Sequence, residues 1–137
     1  MTAVLAPTLN QPTPVRARTV LLALGGASLL AGLDAALLLA GLPAPVTAER
    51  LEQVHGPLMM LGFLATLIAL ERAVALRRRW AYLSPALLGA GGLMLLSPLP
   101  IAVGHAVQFA GTLCLIAIYR TLATRAQSRA LSIQWLG

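Results

Sequence analysis

Charge is scarce in this 137-residue chain: only 10% of its residues are Asp, Glu, Lys or Arg, and lysine is absent. A soluble domain carries about 25% charged residues. With 58% hydrophobic residues and a mean hydropathy of +0.83, the composition excludes an ordinary water-soluble fold. Cysteine is scarcer still. Cys114 stands alone in an apolar stretch, which excludes a disulfide framework and a cysteine metal cluster. The sequence also lacks a phosphate-binding glycine loop, a nucleophile with a paired base and a metalloprotease motif.

The charge that is present is mostly arginine: ten arginines against four acidic residues, for a net charge of +6 and a pI near 11.4. In a soluble protein that balance points to nucleic acid. Here the arginines sit at the ends of apolar runs, so they are expected to orient the chain in a lipid bilayer, and no nucleic-acid partner is expected.

The apolar runs predict an all-α fold, an integral membrane bundle of four transmembrane helices over residues 19–120. Residues 1–18 read as a flexible tail rich in Pro and Thr, ending at Arg16 and Arg18. The first span runs from Thr19 to Leu42 and stops at Gly41, Pro43 and Pro45. The second starts behind a Thr47 cap, carries Glu49 and Glu52 in its first turn and runs through His55 to Leu76. Arg77, Arg78 and Arg79 end it. After the interfacial aromatics Trp80 and Tyr82, a third span reaches Leu96, and a fourth extends from Ile101 to Ile118, closing at Tyr119 and Arg120. Residues 121–137 read as a tail or as the start of a further helix, as though the chain were part of a longer polypeptide. Val46-Thr47-Ala48 resembles a signal-peptidase site, but the preceding apolar run is too long for a signal core and contains Asp34, so it reads as a span.

Short cytoplasmic loops collect positive charge. Arg16 and Arg18, the Arg77 to Arg79 run, and Arg120, Arg125 and Arg129 fall on alternate connections, whereas the other two connections carry only Arg50 beside two glutamates and no charge after Ser97. The expected topology therefore has both termini cytoplasmic, in the inner (plasma) membrane.

An ionisable side chain in the hydrocarbon core must be paired, neutralised or near a cavity. Five qualify: Asp34, His55, Glu71, Arg72 and His105. His55 and His105 both lie near the outer ends of their spans and can share one depth. Two imidazoles from neighbouring helices are a suitable donor set for haem or a transition metal, so both are candidate metal and cofactor ligands. At roughly 100° per residue, Met59, Gly62, Thr66 and Ala73 share the His55 face, and Gln108, Thr112 and Tyr119 fall near the His105 face. Hydroxyl and amide groups there can orient the imidazoles, which makes Thr66, Gln108 and Thr112 candidate supporting residues. Met59 is a candidate soft ligand, although methionine at this spacing is commonly packing. Asp34 lies roughly 10 Å inside its span, as acceptor for an imidazole or as proton carrier. Glu71 and Arg72 fall near the inner end, suited to anchoring, with Glu71 paired to a nearby arginine. The bland alternative is that the histidines bond to carbonyls or water and that the small-residue faces are packing seams.

The stretch His55-Gly56-Pro57-Leu58-Met59-Met60-Leu61-Gly62-Phe63, continuing to Ile68-Ala69, resembles the helix of NnrS-family proteins that reads H-G-H-E-M-x-x-G-F. That family comprises multi-span bacterial membrane haem proteins associated with nitric-oxide stress and distantly similar to the haem-copper oxidase catalytic subunit. His55, Gly56, Met59, Gly62 and Phe63 match, whereas Pro57 and Leu58 stand where the family has a second histidine and a glutamate. The resemblance covers one helix and implies a haem b ligand role for His55, with electron transfer or gas-ligand response as the function. The alternative is a non-catalytic bundle or small transporter subunit. Few spans and many small-residue faces point to a homo-oligomer or a larger membrane complex.

Overall fold

The computed structural model describes residues 15–47 and 49–136, with backbone alone for residue 49 and residues 129–136. Every described element is helical. Helix α1 spans Val15–Leu39. It closes through Gly41, whose φ of +70° is the left-handed step that glycine takes without strain, and the Leu42 N–H reaches back to the Leu37 carbonyl at 2.9 Å. Of the expected tail, residues 1–14 lie outside the described residues and Val15 to Arg18 are helical.

A second rod runs without a break through α2 (Glu49–Pro57), a π-helical segment (Leu58–Ala65) and α3 (Thr66–Leu76). Pro57 lies inside it. Proline offers no N–H and its ring crowds the carbonyl four residues back, and here the rod widens after Pro57 rather than ending. Thr66 Oγ1 then donates to the Leu61 carbonyl, five residues earlier, at 3.2 Å. The rod stops at Arg77, in the left-handed region at φ 54°.

A short 3-10 turn (Arg79–Tyr82) leads into α4 (Leu83–Leu96), and α5 spans Ile101–Leu136. The fourth span does not end at Arg120 as a helix. No glycine or proline follows Gly111 before the last residue, so nothing in the sequence breaks the helix where its polar stretch begins. Three helices, Val15–Leu39, Arg50–Leu76 and Ile101–Ser128, are long and apolar enough to cross a membrane. Helix α4, with 14 residues, measures about 21 Å and is shorter than the roughly 30 Å hydrocarbon core.

Glycines set the helix approaches. A Cβ on Gly62 would lie 2.8 Å from Ser28 Oγ, and one on Gly92 would lie 2.5 Å from the same oxygen and 3.1 Å from the Gly62 Cα. Three helices therefore meet at one point, where the Ser28 side chain packs against two glycine backbones. Down α1, the buried stripe Leu21, Gly25, Ser28, Gly32 and Ala35 faces the second rod and α4. Helix α5 docks mainly on α4, where a Cβ on Gly91 would strike Gln108 Cγ at 2.6 Å and Ser84 Oγ donates to the Gly111 carbonyl at 2.8 Å.

Leu58, Leu76, Leu88, Leu95 and Ile118 are fully buried, yet many large apolar side chains face outward and some polar ones inward. Ser28, Thr66, Ser84 and Gln108 are wholly buried, while Leu30, Met60 and Phe109 are 67%, 62% and 65% exposed. Close approach through small residues is how helices associate where the surroundings are as apolar as leucine.

Candidate functional site

His55 sits in the last turn of α2, where its ring reaches across to α1: Nδ1 donates to the Gly32 carbonyl at 2.9 Å. A carbonyl only accepts, so Nδ1 carries the hydrogen, and in the neutral ring Nε2 keeps its lone pair. Gly32 makes this contact possible. A Cβ there would lie 2.5 Å from the Met59 sulfur, so at this level α1 and the second rod approach closely because position 32 has no side chain.

Of the face grouped from periodicity, His55, Met59, Gly62 and Thr66 form one continuous contact with α1, whereas Ala73 packs with Leu76, Ala81 and Ile118. His55 and Met59 meet Gly32, Gly62 meets Ser28, and Thr66 meets Gly25. Met59 packs its sulfur against Gly32. Thr66 lies about 16 Å along the rod from His55 and bonds within its own helix, so its hydroxyl supports the widened turn and not the imidazole.

His105 is placed differently. It is exposed on α5, a helix that packs on α4 and α3, whereas His55 faces α1. Thr112 Oγ1 donates to the Gln108 carbonyl of its own helix at 2.9 Å. Gln108 is wholly buried against Gly91, and neither its Oε1 nor its Nε2 has a hydrogen-bond partner. Of the residues grouped with His105, Gln108 therefore turns toward α4 and Tyr119 lies beside Arg72 of α3, while the imidazole is exposed.

Asp34 borders a cavity of about 390 Å³ at the arginine-poor end, together with Ala31, Arg50, Leu51, Val54 and Leu96. Arg50 is fixed there by donating an Nη2 hydrogen to the Leu99 carbonyl. Sequence reasoning left Arg50 as a loop charge; its contact joins the start of α2 to the α4–α5 turn, a pairing over 49 residues that no local pattern announces. At the opposite end Glu71 pairs with Arg72 at 3.8 Å, and the Arg72 guanidinium lies 5.6 Å from the centre of the Tyr119 ring, as suits an anchoring role.

Among the described residues, no group of three or more His, Cys, Asp or Glu side chains comes together to hold a metal ion. The arrangement offers instead one imidazole nitrogen, set in its tautomer by a backbone carbonyl. No curated protein and no solved structure matches the chain. Residues 18–137, covering nearly all of the helical bundle, match the family model described as Domain of unknown function (DUF8744), and the chain belongs to that family.

Proposed function

We propose that this chain is a multi-span protein of the plasma membrane, both termini cytoplasmic, in which His55 Nε2 would hold a haem or a transition metal. The membrane part of the reading is supported by the three long apolar helices and by large apolar side chains facing outward from a small-residue interior. The haem part rests on one observation: the 2.9 Å bond from His55 Nδ1 to the Gly32 carbonyl. Metal-bound histidines nearly always donate their other ring N–H to a carbonyl or carboxylate, which fixes the ring and strengthens the ligating nitrogen. The resemblance of His55 to Phe63 to the NnrS-family helix agrees in the same histidine.

The residues present offer one donor to such a group, His55 Nε2. Gly32 and His55 hold and orient the donor, and Met59 closes the helix contact beneath it. The exposed His105 serves as a second ligand only across an interface with another copy or a partner subunit. A bound haem would supply one-electron transfer or a coordination position for a gas such as nitric oxide.

A second reading, a non-catalytic bundle or small transporter subunit, is favoured by the same bond taken as a complete structural contact, since it joins α1 to α2 without any metal. Spectra of protein purified in mild detergent after expression with haem available separate the two. A reduced-minus-oxidised haem band in wild type that vanishes in His55→Ala supports ligation. A colourless wild type without transition metal by elemental analysis overturns it and leaves the structural role.

A further inference from the structure

Asp34 and Arg50 border the same cavity yet form no ion pair with each other. Asp34 makes no hydrogen bond or ion pair to any described residue. The Arg50 guanidinium donates to the Leu99 carbonyl, its Nε lacks an acceptor, and no described carboxylate compensates its charge. Two opposite charges that line one cavity without pairing leave both open to a ligand complementary to each. The rest of the lining is apolar: Ala27, Leu30 and Ala31 continue inward along α1, with Leu51, Val54 and Leu96 opposite. Arg50 stands at the start of α2 and Asp34 close to the end of α1, so both charges lie toward the membrane surface and the apolar wall runs away from it.

We infer that this cavity seats a zwitterionic amphiphile, with its anionic group on Arg50, its ammonium on Asp34 and an apolar chain along Ala27, Leu30 and Ala31. The inference rests on the membrane reading and is independent of any haem at His55. The bilayer itself offers this chemistry in phosphatidylethanolamine, whose phosphate and ammonium lie a few bonds apart. Phosphatidylglycerol has the phosphate without the ammonium, and an alkylamine has the cation without the phosphate. Arg50 alone would select both phospholipids equally, so the preference between them reports Asp34.

The test uses the full chain, shown to be membrane-inserted by its resistance to alkaline extraction, then stripped of lipid in detergent. It is offered phosphatidylethanolamine, phosphatidylglycerol or dodecylamine, and retained ligand is counted by native mass spectrometry. Wild type is expected to retain phosphatidylethanolamine about tenfold better than either of the others, the worth of one charge-assisted contact. Asp34→Asn should abolish that preference, and Arg50→Gln should weaken retention of both phospholipids. Ala31→Phe fills the space without touching either charge and should weaken all three; if it fails to fold, Leu96→Trp narrows the rim instead. Equal retention of the two phospholipids by wild type, or undiminished retention by the filled variant, overturns the inference. Extraction of the chain by alkali would instead overturn the membrane reading.

Discussion

At the arginine-rich end of the bundle, Arg125 Nη1 donates to the Leu76 carbonyl at 3.1 Å, and Arg72 lies between Glu71 and the Tyr119 ring. At the arginine-poor end, Asp34 and Arg50 border one cavity without pairing. The first set closes helix ends: Arg125 satisfies a terminal carbonyl of α3, where a cation also complements the helix dipole. The second set holds charge apart. The difference separates residues whose removal costs fold from residues whose removal costs binding, and it can be tested by stability alone.

The largest loss is expected in the seam that joins both ends. Gly92→Leu forces a side chain into Ser28 and the Gly62 backbone and should destabilise by about 3 kcal/mol, read as thermal unfolding by circular dichroism in mild detergent. A variant that unfolds with wild type would mean the three helices do not meet there. Gln108→Leu removes an amide with both polar atoms buried and unpartnered, so its unfolding temperature should rise, by about 1 kcal/mol of stability. Unchanged or lower stability would show that the amide has found a partner. Arg125→Met strands the Leu76 carbonyl and should cost about 1 kcal/mol. Tyr119→Leu, which removes the ring beneath Arg72, should cost about 0.5 kcal/mol. Asp34→Asn closes the series with a change within about 0.5 kcal/mol, because no described contact is lost. A loss as large as that of Arg125→Met would erase the contrast between the ends.

Much of the bundle was legible because hydrocarbon imposes length and apolarity on a helix, and the runs ending at Gly41 and Arg77 are long and plain in the sequence. The end of α5 was not. Arg120 marks where apolar character fades, which is a statement about surroundings, while the helix persists because Thr121 to Ser128 contain no breaker. Pro57 shows the reach of tertiary packing: its ring excludes the ordinary helical bond, and packing of Gly62 against Ser28 and Gly92 accompanies a rod that widens and continues.

The site was half legible. Helical periodicity grouped His55, Met59, Gly62, Thr66 and Ala73, of which the first four share the α1 contact, because positions three and four apart share a face whatever lies opposite. It could not say what that face meets. The contact with Gly32 depends on α1, and His55 and Gly32 are separated by 23 positions and a turn. His105 shows the same limit in reverse: a helix rich in Gly and Ala can turn several faces inward, and α5 turned Gly104, Gln108 and Gly111 to α4, which leaves His105 outside.

The sequence by itself determined that the chain is helical, that its helices are strongly apolar, and that arginine gathers at alternate connections, since these follow from local composition and spacing; that three helices rather than the expected four are long enough to cross a membrane emerged only from the helix bounds. Only the tertiary structure decided that His55 bonds to Gly32, that Gln108 is buried without a partner, and that Asp34 and Arg50 share a cavity. Those outcomes depend on which glycine faces which side chain across a helix contact, and no single helix carries that information.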